Sequence, residues 1–131
     1  MLQQAIRRFL VPVFLLVTVP AHAHHSVTAV FDQSKEVTVT GTLTKVSWTN
    51  PHIYYFVDVK DDDGKVTTWS FEGNPPGLLH RSGMRKEMWK TGEVVTVTAW
   101  GAKDGTANLG FGKRIKYLSD GHEIILRVQG E

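Results

Sequence analysis

The chain contains no cysteine in 131 residues. That excludes thiol nucleophiles, thiolate metal sites and disulfides together. It also lacks a long apolar run: the longest, Phe9 to Val19, falls short of the roughly 20 residues that a membrane helix needs. No serine sits in a nucleophile-elbow pattern, and no glycine loop has the context to cradle a phosphate. The acidic turn "DDDG" (Asp61 to Gly64) lacks the ligand spacing of a calcium loop. An enzyme is therefore not the expected reading.

Excess charge is missing too. Arg7 and Arg8, with the apolar run behind them and the small residues of "AHA" (Ala21 to Ala23), form the pattern of an export leader. The predicted cut follows Ala23, with a cut after Ala21 as the rival. Removing a 23-residue leader from 131 leaves 108 residues, enough for one domain at 24–131. The leader takes two of the 15 basic residues and none of the 13 acidic ones, so 13 of each remain. A balanced chain argues against nucleic acid as partner. The expected location is periplasmic or secreted, with no membrane contact after cleavage.

Beyond the leader, the chain is predicted to be mostly strands. "KEVTVTGTLTKVSW" (Lys35 to Trp48) alternates, then shifts phase beside Gly41, the signature of a β-bulge or coil point. "TNPH" (Thr49 to His52) is a turn. "IYYFVDVK" (Ile53 to Lys60) and "KVTTWSFE" (Lys65 to Glu72) form a hairpin around "DDDG". "LLHRSGMRKEMW" (Leu78 to Trp89) is the helical stretch, divided at Gly83. "VVTVTAW" (Val94 to Trp100) is a further strand, "GAKDGTANLG" (Gly101 to Gly110) a loop, and "KRIKYLSDGHEIILRV" (Lys113 to Val128) a last hairpin. Three strands, a helix and two or three strands predict an all-β, OB-like barrel of five to six strands, with the helix between strands three and four. A small β-sandwich is the alternative.

Several stretches together carry a likeness: "AHAHHSVTAVFD", "VTVTGTLTKVSWTNPHIYYFVDVKDDDGKV", "WSFE", "NPPGLL" and "KTGEVVTVTAWGAKDGT". They resemble a family of small exported bacterial proteins catalogued as a domain of unknown function, most sharply in "HHS" and "WTNPH". The resemblance implies an exported OB-like barrel and no particular activity. The less regular helix leaves His80 outside that resemblance.

Histidines are the residues with chemistry to offer. A cut after Ala23 makes His24 the first residue, whose amine and ring chelate one metal together. His25 or His52 would complete a three-nitrogen set suited to Cu(II). A cut after Ala21 would instead give His-Ala-His, which wraps Cu(II) or Ni(II) through backbone amides. Against this stands the plain reading of polar residues at a frayed end. His52 either ligates or bonds a turn carbonyl. Pairing the hairpin between Asp62 and Asp63 sets Ile53 opposite Glu72, bringing Glu72 near His52 as a ligand or an orienting partner. His80 and His122 are expected on the surface.

The metal candidates are therefore His24, His25, His52 and Glu72, with Cu(II) as the cofactor expected first. The competing function is a binding module whose aromatic face takes a small molecule, a peptide or an envelope protein. Its candidate residues are Trp48, Tyr54 and Trp69. Core packing is the ordinary use of such rings.

Overall fold

A computed structural model describes residues 26–126. The predicted leader, and with it His24 and His25, lies outside the described residues. The elements are α1 (Val27–Val30), β1 (Phe31–Ser47), β2 (Tyr54–Lys60), β3 (Val66–Glu72), α2 (Pro76–Arg81), a 3-10 turn (Lys86–Met88), β4 (Val94–Ala102), β5 (Leu109–Tyr117) and β6 (Glu123–Ile125). Among the described residues no helix is long and apolar enough to cross a membrane.

The pairings close a barrel. β1 pairs antiparallel with β2 and with β4, β2 with β3, and β4 with β5. The ring is completed by a parallel pairing of β3 with β5, Ser70 to Leu109 through Glu72 to Phe111. β6 extends β5 at its far half. This closed circuit, with α2 between β3 and β4, is the OB-like architecture and excludes the sandwich.

The alternation of the sequence becomes the wall of the barrel. Leu43, Ile53, Tyr55, Val57, Phe71, Val95, Val97, Ala99, Ile115 and Tyr117 are buried in one interior cluster. Leu79 of α2 and Trp89 join it, so the helical stretch covers one end of the barrel. The phase shift predicted in β1 is real: its register against β2 skips between Leu43 and Lys45. Beside it, a side chain at Gly41 would overlap the carbonyl oxygen of Asp58, so that position takes no larger residue.

Three boundaries differ from those expected of the sequence. β1 begins at Phe31 rather than Lys35, because the chain there pairs with Ala102 and packs its ring. α2 begins at Pro76, whose fixed φ suits a first helical turn. Both ends of the expected loop at 101–110 are absorbed into β4 and β5, leaving residues 103–108 as the connection.

A second, smaller cluster lies on the outside of the barrel. Phe31, Trp100 and Phe111 are buried there, with Val27, Val30 and Leu109 packed against them. Phe111 points outward because β5 carries an extra residue: Thr98 pairs with Arg114 but Ala99 pairs with Gly112. Lys113 is thus a bulge, which flips the phase of the strand between Phe111 and Ile115.

Candidate functional site at the His52 and Glu72 corner

The β2–β3 hairpin sets the site. Asp61 N–H donates to the Lys65 carbonyl and Gly64 N–H to the Asp61 carbonyl, while Lys60 pairs with Val66. The loop is therefore centred on Asp63, and Gly64 supplies the positive φ of 82° that it requires. The register differs by one from the expected one: Tyr54, not Ile53, lies opposite Glu72. Ile53 remains on the interior face, fully buried, and its backbone bonds to Gly73 and Asn74.

The slip does not separate the two candidates. His52 Nδ1 lies 3.0 Å from Oε1 of Glu72, and at 3.0 Å it also bonds the Gly73 carbonyl oxygen. The carboxylate neighbour expected of His52 is present, while the carbonyl it bonds is that of Gly73, after β3, rather than one in the turn at 49–52. Both neighbours accept, so Nδ1 carries a hydrogen. The other Glu72 oxygen, Oε2, accepts from the Tyr54 hydroxyl at 2.9 Å. The Asn50–Pro51 peptide before His52 is cis.

His52, Glu72 and Asn74 are the buried polar residues among those described, at 6%, 4% and 5% exposure. All three are partnered. Polar groups taken out of water cost free energy unless they are hydrogen-bonded, and here they gather at one corner. The same corner shifts Tyr54: burial first, then the bond to Glu72 and its charge, pushes the phenol up to about 12.

The corner continues a row across four strands. Tyr54 is paired with Glu72, Glu72 with Phe111, and Phe111 with Trp100. Phe111 and Trp100 stack with centroids 6.1 Å apart. The polar corner thus abuts the outer apolar cluster. The sequence did not point to that cluster; the outward turn of Phe111 depends on the Lys113 bulge, which leaves no pattern in the residues.

Among the described residues no three histidine, aspartate or glutamate side chains group closely enough to hold a metal ion. His52 and Glu72 make two potential donors, and His24 and His25 lie outside the description. Trp48 and Trp69 pack against the interior cluster, Trp48 edge-on to Trp89 and Trp69 stacked on Phe71. Of the three rings, Tyr54 alone belongs to the corner. His80 and His122 are exposed, as expected, His80 bonded through Nδ1 to Arg85 at 2.9 Å.

No curated protein matches the chain. Among solved structures it is similar to Rim1, a mitochondrial single-stranded DNA-binding protein of S. cerevisiae, at 16% identity and a TM-score of 0.49, over 67% of this chain and 94% of that one. The strand pairings, not that distant likeness, define the fold. The match that places the chain is to a family model spanning residues 13–111, and the protein belongs to that family, a family of unknown function (DUF6152).

Proposed function

We propose that this is an exported, periplasmic binding protein for a transition metal, Cu(II) first, held by the histidines at 24 and 25 together with His52. The observation that carries the reading is the engagement of His52 Nδ1 by Gly73 and Glu72. A ring oriented at Nδ1 by a carbonyl and a carboxylate is the arrangement in which metal-binding imidazoles are commonly held. Glu72 then acts by orienting His52 rather than by ligating. The leader-like first residues fit an exported protein, and a chain without cysteine leaves imidazole as its nitrogen donor for a transition metal. Copper is named first because a nitrogen-rich set suits Cu(II) and because Cu(II) binds such donors most tightly among common divalent metals.

The test is a Cu(II) titration of the authentically exported protein, followed by EPR, with the first residue established by mass on the same sample. A one-to-one site with nitrogen hyperfine structure that changes in His52→Ala is expected. Weak binding with the same spectrum in His52→Ala would overturn the reading. The aromatic-face alternative predicts no effect at His52 and damage from Tyr54→Ala.

A further inference from the structure

Glycine follows aspartate at three places in the chain: Asp63–Gly64, Asp104–Gly105 and Asp120–Gly121. At such a step the glycine backbone nitrogen can attack the aspartyl carboxyl, because no Cβ shields that nitrogen and both groups are held in one small ring. The asparagines offer no equal step. Asn50 and Asn74 precede proline, which has no N–H, and Asn108 precedes leucine, whose side chain crowds the nitrogen.

The glycines do not distinguish the three steps. Each has a positive φ, 82°, 78° and 73° in chain order, and each N–H donates to a carbonyl of its own turn. The carboxylates do distinguish them. Asp104 Oδ1 accepts from the Thr106 N–H at 2.9 Å and from its hydroxyl at 2.7 Å. Asp120 Oδ1 accepts from the His122 N–H at 2.8 Å, and Oδ2 from the Lys90 ammonium at 3.0 Å. These bonds tie each side chain to the residue two places ahead. Thr106 at Asp104, and His122 then Lys90 at Asp120, also hold both carboxyls below the usual carboxylate range. They stay ionised, and an ionised carboxyl gives up its oxygen poorly. In the β2–β3 loop the corresponding bond is made two residues earlier, where Asp61 Oδ1 accepts from the Lys65 N–H at 2.8 Å. Asp63 is left exposed at the tip, and among the described residues no hydrogen bond or ion pair engages its carboxylate.

We propose that Asp63–Gly64 is a self-modification site, where the aspartate isomerises to isoaspartate in the folded protein. The Gly64 nitrogen attacks Cγ of Asp63. An N–Cγ bond forms, the nitrogen's proton and the carboxyl OH leave as water, and a succinimide results. Water then adds back to one of its two carbonyls. Addition at Cγ restores aspartate. Addition at the α-carbonyl breaks that carbon's bond to nitrogen, so the main chain runs through Cβ and Cα carries the free carboxylate. The product adds one carbon to the main chain of the loop and displaces the Gly64 nitrogen that donates to the Asp61 carbonyl. The change enters at the Lys60–Val66 end of the ladder, whereas Tyr54 and Glu72 pair at the other end. The barrel therefore keeps the modified chain folded, and the product accumulates.

The test keeps the wild-type protein folded in mildly acidic buffer, with a parallel sample in urea. Isoaspartate is counted by enzymatic methylation of isoaspartyl carboxyls and located by peptide mapping. In the folded protein it is expected at residue 63, about tenfold or more above residues 104 and 120, the scale of one hydrogen bond to a charged group. In urea, where those bonds are gone, the three steps are expected to react at similar rates. Asp63→Glu keeps the charge and the exposure, and is expected to lose the folded-state signal because its longer side chain closes a less favourable ring. Thr106→Ala removes one bond to Asp104 and is expected to raise isoaspartate there. Equal amounts at the three steps of the folded protein, or a larger amount at 104 or 120, overturn the proposal. So does a folded protein with no isoaspartate at 63, whatever the urea sample shows.

Discussion

The Tyr54 hydroxyl donates to Oε2 of Glu72 at 2.9 Å across the β2–β3 ladder. The phenol is held near 12 in the folded protein, by burial first and by Glu72 second, against about 10 in an unfolded chain. A raised phenol pKa favours the protonated form in the fold. Its stabilising contribution is complete below pH 10 and is lost as pH rises from 10 to 12. Tyr55 and Tyr117, also raised by burial, act in the same direction. Tyr54→Phe is therefore expected to make the fall in stability over pH 10–12 shallower without removing it. Urea unfolding at a series of pH values measures this, and an unchanged slope would sink the assignment.

Glu72 accepts the Tyr54 hydroxyl and contacts His52, in a position only 4% exposed. Glu72→Ala leaves both partners facing a buried void. The expected loss is about 3 kcal/mol, the scale of breaking a buried charged contact. Glu72→Gln keeps the shape and one acceptor, so about half that loss is expected. Urea midpoints of the two variants give the comparison. Equal, small losses would mean that the corner is held by packing alone.

Tyr55 offers a case in which removing a polar atom helps. Its hydroxyl is fully buried, has no hydrogen-bond partner among the described residues, and lies where a side chain at Gly112 would be. Tyr55→Phe is expected to stabilise by about 1 kcal/mol, because an unsatisfied buried hydroxyl is costly. Gly112→Ala is expected to destabilise by about 2 kcal/mol through overpacking. In the double variant the added methyl meets the space left by the hydroxyl, so the two effects do not add. Thermal unfolding of the four-member cycle reads this directly, and strict additivity would show that the two positions do not press on each other.

The barrel was legible in the sequence because each wall strand alternates, and the interior needs nothing more than that period. Val95, Val97 and Ala99 inward, with Thr96 and Thr98 outward, repeat in space what they show in the chain. The proximity of His52 and Glu72 followed from hairpin pairing alone. Its register was one residue off because the loop has an odd number of residues, a consequence of the backbone that Gly64 adopts. Trp100 and Phe111 were not legible as an outer cluster. Phe111 falls between the stretch expected as a loop and the start of the last hairpin at Lys113, and only the Lys113 bulge turns it away from the side that Ile115 faces. His80 was legible as a surface residue because nothing periodic placed it inside.

The two apolar clusters give the molecule two tiers of persistence. Opening the barrel breaks ladders on every strand, whereas lifting residues 26–31 off the outer cluster breaks the Lys103–Val30 bond, the Phe31–Ala102 pair and the contacts of a few side chains. Residues 26–31 are accordingly expected to release first as conditions harshen, with the barrel still intact.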